Sequence, residues 1–442
     1  MFGYSVSVHD QTSVVGARLD DTGAGINAGS AYLFDTHTGL QRHKLTTDDA
    51  EPGDFLGRSV AVDGDTVAVG ASMDDDSGNN SGSAYLFDVH TGRQGHKLVA
   101  DDAGAADQFG HAVGMHGNSV VVSAPWEDQS GINAGAAYVF NATGGVQQRK
   151  LLADDAQAGD LFGYSLAVDG GLAVLGSQSD EVGIDSGSAY VFDINTGEQL
   201  HKLTSTDTAS GDMFGSVAVN DGIALIGAPR HDANADDAGA AYLFDTTTGQ
   251  KLRKLTASDP TADALFGFSV AIDNGIALIG AYGDNNDTGA IYGFDVTTGN
   301  ELFKFTPDEA QPGDSFGFSM SLSGLTALIG APLTATPGSN TGAAYLLELP
   351  PPPPPIIGDL NADGFVGVDD LNFLLLHWNE NAGFQQPQLG DITGDGFVGL
   401  DDLSFMLANW NQGTPPTTGN PVPEPTSLII ITCLSPALLI RT

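Results

Sequence analysis

Short apolar runs separated by Asp-Gly, Asn-Gly and Thr-Gly turn signals fill residues 1 to 349. In one stretch the runs Ser165 to Val168, Leu172 to Leu175, Ala189 to Phe192 and Leu200 to Leu203 are divided by a tight Asp169-Gly-Gly turn, an Asp-rich loop and an Asn195-Thr-Gly turn. Runs this short, rich in β-branched and aromatic residues and bounded by turn formers, predict strands rather than helices, here four strands of an antiparallel meander. The pattern returns. A Phe-Gly pair recurs at Phe2, Phe109, Phe162, Phe214, Phe266 and Phe316, with Leu56-Gly57 in the remaining slot, and a strand of the Ala-Tyr-Leu-Phe type recurs at Tyr32, Tyr85, Tyr138, Tyr190, Tyr242, Tyr292 and Tyr345. Seven units of four strands predict an all-β, seven-bladed β-propeller over 1–349, whose radial packing protects the sheet edges; a linear β-solenoid has shorter coils.

These units resemble the FG-GAP repeats of integrin α-chain propellers and bacterial surface proteins. The resemblance rests on Phe214-Gly215 followed by Gly227-Ala-Pro229, on Phe316-Gly317 followed by Gly330-Ala-Pro332, and on weaker copies at Gly70-Ala-Ser72 and Gly280-Ala-Tyr282. In integrins an Asp-rich calcium loop divides the first two strands of some blades. Here that place holds Asp63-Gly-Asp65, Asn220-Asp-Gly222 or Asp273-Asn-Gly275, hairpin turns too short to wrap an ion, so those sites are not carried over.

Composition sharpens the picture. Against 56 Asp plus Glu stand 15 Lys plus Arg, a formal charge of -41 that excludes nucleic acid as a partner because every phosphate would be repelled. The single Cys433 excludes an intramolecular disulfide. The acid gathers between strands two and three, at Asp74 to Asp76, Asp180, Glu181, Asp185, Asp232, Asp236, Asp237, Asp284 and Asp287. It gathers also between blades, at Asp48, Asp49, Asp101, Asp102, Asp154 and Asp155. In a meander both connections emerge at one end, so one face of the disc is expected to be acidic, either as a face for cations or basic partners or as solvated loops that keep the chain soluble. Blade seven carries no acid from Leu333 to Thr341. His43, His96 and His201 occupy one place in successive fourth strands, which points to packing, and no Ser/His/Asp or Cys/His arrangement marks a catalytic residue.

Pro350 to Pro355 form a stiff spacer, assigned with the next two residues as a 350–357 linker. Beyond it, Asp359, Asn361, Asp363, the Phe365 carbonyl and Asp370 fall at positions 1, 3, 5, 7 and 12 of a calcium loop, with Gly364 at the sharp turn. Asp391, Thr393, Asp395, Phe397 and Asp402 repeat the spacing, with Gly396 at the turn. A helix is expected after each loop, over 370–378 and 402–410, with Leu371, Leu374, Leu375 and Trp378 on one face and Leu403, Met406, Leu407 and Trp410 on the other. The duplicated unit over 358–412 resembles a type I dockerin, which implies two calcium ions and a cohesin-like partner. Val368-Asp369 and Leu400-Asp401 stand where that family often has hydroxylic residues, which fits a calcium-stabilised adaptor.

After a second linker over 413–421, residues 422–442 place Pro423, Glu424 and Pro425 before an apolar run from Leu428 to Ile440 and a final Arg441. The tail resembles a PEP-CTERM sorting signal, which implies export and a sorting protease; its run is only 13 residues long and falls short of the roughly 20 a spanning helix needs. Met1 opens directly inside a repeat, and the seventh unit runs from Leu349 into proline without a fourth strand. A signal peptide and the missing strand are therefore expected upstream of Phe2. Together these features predict an exported, non-catalytic surface or matrix protein whose propeller binds an extracellular protein or glycan. A polysaccharide-degrading enzyme or accessory subunit and a purely structural surface-layer component are the competing readings, separated by whether polar residues that break the repeat converge on one face.

Overall fold

The computed structural model describes residues 1–180, 186–336, 339–351, 357–360, 365–378, 390–393, 397–412 and the backbone of 427–432. Each expected unit is a four-stranded antiparallel sheet. In blade four, Ser165–Asp169, Leu172–Ser177, Ser188–Asp193 and Gln199–Leu203 pair in chain order. The first hairpin turns through Gly170 and Gly171 with φ of 55° and 91°, the mirror-image geometry whose twist matches that of the strands it joins. First strands of successive blades adjoin around a central channel, and Ser5–His9 adjoins both Ser59–Asp63 and Ser319–Ser323, closing the ring.

Alternation along the strands glues the blades. In blade one Tyr32 and Phe34 pack with Leu328 and Leu346 of blade seven, whereas Val14 and Leu33 pack with Val60 and Val67 of blade two. Both sheet faces are covered, which is why second and third strands read as continuous apolar runs. The Phe of each Phe-Gly pair wedges against the Tyr-x-Phe strand of its own blade: Phe109 lies edge-on to Tyr138 and Phe140, with centroids 5.6 and 5.7 Å away. The glycine beside it is required by space, since Gly110 has a φ of 89° and a Cβ there would lie 2.2 Å from the Ser83 carbonyl oxygen. Serines opening the first strands then stitch blade to blade. Ser5 Oγ donates to the Gly57 carbonyl at 3.0 Å, Ser59 to Gly110 at 3.0 Å, and Ser319 to Gly3 at 3.0 Å across the closure.

Blade seven departs from expectation. Its fourth position, left unfilled by the seventh unit itself, is taken by Ser427–Thr432, antiparallel to Ala343–Glu348. The third strand would otherwise present a row of unpaired backbone groups, and the β-branched run from Ile429 to Thr432 suits that edge. Closure does not rest on this strand. Phe2 N–H donates to the Thr341 carbonyl at 2.9 Å and Val8 N–H to Ser321 Oγ at 3.0 Å.

The second unit of the chain contains two helices, Val368–Leu376 and Leu400–Ala408, each starting two residues before its expected start. Val366, Leu374, Val398 and Met406 form the buried core, with Leu371, Trp378, Leu403 and Trp410 packed against it. Leu375 and Leu407, expected on the packed faces, are instead 50% and 52% exposed. Helices of nine residues bury a stripe at i, i+3 and i+7, and the i+4 positions fall outside it. Pro352 to Pro355, the linker after Gly413, Glu181 and Asp185, the Pro423-Glu424-Pro425 motif and the tail beyond Thr432 lie outside the described residues. Among the described residues no helix is long and apolar enough to cross a membrane.

Candidate functional site

Much of the acid is drawn into a repeated structural device. In blade two the Lys97 ammonium lies 2.8 Å from Asp49 and 3.1 Å from Asp74, bonds Asp76 as well, and stands 5.2 Å over the Tyr85 ring; Tyr85 donates its hydroxyl to Asp74 at 2.5 Å. Asp49 comes from the connection between blades and Asp74 from the connection between strands two and three, so both loops emerge at one end, as expected. Burial works against the Lys97 charge, but its bonds to Asp49, Asp76 and Asp74 outweigh that and raise its pKa. The same lysine recurs: Lys44 to Asp20 at 2.7 Å, Lys150 to Glu127 at 2.8 Å, Lys202 to Asp180 at 3.0 Å, Lys254 to Asp207 at 2.6 Å and Lys304 to Asp284 at 2.8 Å. Carboxylate oxygens of Asp49, Asp74 and Asp76 lie within 4.8 Å of one another, the crowding a cation relieves, and Lys97 supplies that cation. Asp48, Asp75, Asp101 and Asp154 remain exposed on the rim.

The fourth-strand histidines also serve the ring. Nε2 of His43, His96 and His201 bonds the carbonyls of His90, Thr143 and Thr247 at 2.9, 3.1 and 2.9 Å, each in the Thr-Gly turn of the following blade.

At the centre of this face lies a different chemistry. The residue after each Phe-Gly or Leu-Gly pair lines the channel mouth, and its identity varies from blade to blade among Tyr, Arg, His and Phe: Tyr4, Arg58, His111, Tyr164, Phe268 and Phe318, with blade five lacking the position because Ser216 follows Gly215 directly. They line one end of a cavity of about 330 Å³. Rings run around much of it. Tyr4 and Phe318 stand 5.3 Å apart, Phe318 and Phe268 5.1 Å, and Phe268 and Tyr282 4.5 Å; across the mouth His111 meets Tyr164 at 4.8 Å and Trp126 at 5.1 Å. Arg18, just after the second strand of blade one, stacks its guanidinium 3.8 Å from the Tyr4 centroid, with Arg58 5.1 Å from the same ring. Arg58 donates to His111 Nε2. Burial, and then the charge of Arg58, hold His111 well below the usual imidazole range, so it is neutral. Burial is likewise the largest influence lowering Arg18, and Arg58 adds to it. The opposite end of the channel is polar in an ordinary way: His9 lies 3.5 Å from Asp63, His116 3.3 Å from Asp169, and Asp273 accepts the Gly324 N–H at 2.7 Å.

The expected calcium loops lie partly outside the described residues, namely Asn361, Asp363 and Asp395. Asp370 and Asp402 are buried at their helix starts. Asp370 accepts N–H groups of Leu360 and Gly367, both at 2.7 Å; Asp402 accepts those of Thr393 at 2.9 Å and Gly399 at 2.8 Å, and the Thr393 hydroxyl at 3.0 Å. Asp391 is buried too, whereas Phe397 is 46% exposed. No Lys or Arg occurs between Lys304 and Arg441, so no ammonium or guanidinium of this unit can offset the buried carboxylates. Oxygen donors, buried negative charge and no internal counter-ion suit a hard divalent cation.

Repetition hid the channel mouth from sequence reading, because its residues are the ones that vary between units; the signal was that the position after Phe-Gly alternates among Tyr, Arg, His and Phe. The units themselves are shared with known proteins. Residues 1–34, 40–87, 93–140, 146–192, 198–244, 250–294 and 300–347 match the FG-GAP repeat. No curated protein matches the chain.

Proposed function

The chain belongs to the FG-GAP repeat family, and from that premise we propose that it is an exported, non-catalytic surface or matrix protein whose propeller binds an extracellular glycan or protein at the channel mouth. The observation that carries the reading is the convergence of Tyr4, Arg58, His111, Tyr164, Phe268 and Phe318 on one cavity, with Arg18 stacked on Tyr4 and Trp126 packed on His111, at positions where a purely architectural repeat would have no reason to vary. The dockerin-like unit then attaches the protein, to a cohesin-like domain or as an adaptor. Its loops would hold one calcium ion each through Asp359, Asn361, Asp363, the Phe365 carbonyl and Asp370, and through Asp391, Thr393, Asp395, the Phe397 carbonyl and Asp402. Calcium would supply the positive charge that this unit lacks. The tail would be read by a sorting protease during export, and cutting there would take Ser427–Thr432 from blade seven and leave the outer edge of Ala343–Glu348 open.

A polysaccharide-cleaving enzyme is the competing reading, favoured by Arg58, His111 and Tyr164 standing together out of pattern. Against it, His111 Nε2 already accepts a hydrogen from Arg58, so that nitrogen is not free to act as a general base. A glycan-array and surface-protein screen of the full chain, with and without calcium, decides the matter. Retention of an intact glycan or a surface protein is expected. Cleaved glycan would establish the enzyme, and silence on every target would leave a structural surface-layer role.

A further inference from the structure

We infer that the channel mouth is a receptor for a carboxylated pyranose, the uronate residue of an acidic glycan. This rests on the binding reading above and names the ligand class of that site. It begins from an electrostatic oddity. In a chain with 56 acidic and 15 basic residues, all seven lysines pair with carboxylates. Yet among the described residues Arg18 and Arg58 ion-pair with no carboxylate: Arg18 faces the Tyr4 ring and its Nε is buried without a hydrogen-bond partner, while Arg58 faces the same ring and His111. Two like charges flank the one Tyr4 ring, and the charge of Arg58 opposes that of partly buried Arg18. Such an arrangement costs stability unless an anion joins it. Guanidinium is the weakly hydrated, fork-shaped cation that bonds a carboxylate through two parallel N–H groups.

The remaining walls select what carries the carboxylate. Tyr4, Phe318 and Phe268 offer π-faces and edges on one side, with Tyr282 packed against Phe268, and Tyr164 on the other, with Trp126 beside it. The C–H faces of a pyranose are weakly positive and suit such rings. Below them the hydroxyls of Ser5, Ser59, Ser269 and Ser319 have spent their hydrogens on glycine carbonyls, so they present lone pairs to sugar O–H donors. An extended peptide would need free backbone carbonyls instead, and those of Gly57, Gly110, Gly317 and Gly3 already accept from the serines.

The test is titration calorimetry on the full chain with oligomers of galacturonate, glucuronate and mannuronate, each beside its carboxyl-reduced neutral counterpart and a sulfated oligosaccharide. At least one uronate series should bind, with affinity lower by about tenfold or more after carboxyl reduction and after Arg18→Gln or Arg58→Gln. Arg58→Lys, which keeps charge but not the fork, should fall between. Each Gln variant should melt no lower than the parent without ligand, because a repulsion has been removed; a lower melting temperature with unchanged affinity would mark the arginines as structural and overturn the inference. In the unmutated protein, bound uronate should protect Arg18 and Arg58, but not the exposed Arg230, from an arginine-specific dicarbonyl. Equal binding of reduced and acidic oligomers, tighter binding of the sulfated sugar, or no uronate binding also overturns it. If a neutral glycan or a surface protein binds while every uronate fails, only the ligand class falls; if nothing binds, the binding reading falls with it.

Discussion

Asp54, in the connection leading into blade two, and Lys97, on the fourth strand of that blade, respond to burial in opposite ways. Lys97 keeps its charge because three carboxylates surround it. Replacing it with Met would strand buried Asp74, and a loss of about 3 kcal/mol in denaturant-measured stability is expected, largely recovered when Asp74→Asn is added. Loss no larger in Lys97→Met than in an exposed Lys44→Met would defeat that account. Asp54 accepts the Glu51 N–H at 2.7 Å, but burial dominates and, with the charge of Asp74, pushes its carboxyl up to about 6; Asp160 is raised to about 6 for the same reasons, with Asp180 as the neighbouring charge. A native pKa above the ordinary value of about 4 means that the folded protein holds the proton more tightly than the unfolded chain. Their stabilising contribution is therefore complete below about pH 4 and lost as pH rises through 6. Asp35 runs the other way, lowered to about 2 chiefly by its hydrogen bond from Arg42, so its contribution is lost as pH falls toward 2. The melting temperature should accordingly rise between pH 7 and 5 and fall below about pH 3. Relief of the overall negative charge has the same sign in the upper range, so the decisive sample is Asp54→Asn with Asp160→Asn, whose upper limb should be flatter while its acid limb is kept. An unchanged slope between pH 7 and 5 would sink the assignment.

At the scale of elements, the loop-helix unit joins what was legible to what was not. The helices were legible from apolar spacing, whereas the proposed calcium ligands at positions 1, 3, 5, 7 and 12, with a glycine at 6, rest on their spacing within one local segment. Their limits and the outward turn of Leu375 and Leu407 depend on how narrow a stripe two nine-residue helices can share, which no local pattern states. About 55 residues bury little apolar surface, and Asp370, Asp391 and Asp402 are buried in a stretch that has no Lys or Arg. Calcium should therefore fold this unit as it binds. Calorimetry and circular dichroism on residues 356–413 should show two ions bound, helix lost in chelator, and the weaker site in the second loop, where the Thr393 hydroxyl replaces the Asn361 amide and already bonds Asp402. A unit equally helical in chelator, or one that binds a single ion, contradicts this.

Across the whole molecule, seven copies of one unit made the propeller legible, since Phe109, Tyr138 and Gly110 each announce a packing requirement that six other blades repeat or closely imitate. Lys97 and its equivalents were visible as a pattern, but their partners come from two separate connections and became apparent only in three dimensions. The channel mouth was least legible, as each blade gives it one or two residues and repetition averages them away. Blade seven is where the ring tests its own regularity. Its third strand, Ala343–Glu348, receives Ser427–Thr432 in a six-residue antiparallel register, with Ala343 opposite Thr432 and Glu348 opposite Ser427. A protein cut after Pro421 would keep the inner closure, because Ser319 to Gly3 and Phe2 to Thr341 are unaffected, but would expose the outer edge of one sheet. Exposed edges pair with one another. The shortened protein should therefore melt a few degrees lower and form dimers whose fraction rises with concentration, as read by light scattering after size exclusion. A synthetic peptide of residues 427–432 added in trans should return it to monomer and restore the melting temperature, whereas a peptide with Ile430→Pro should not, because proline removes a ladder donor. A truncated protein that stays monomeric at the parent's melting temperature would mean that the fourth strand of blade seven contributes nothing to the stability of the ring.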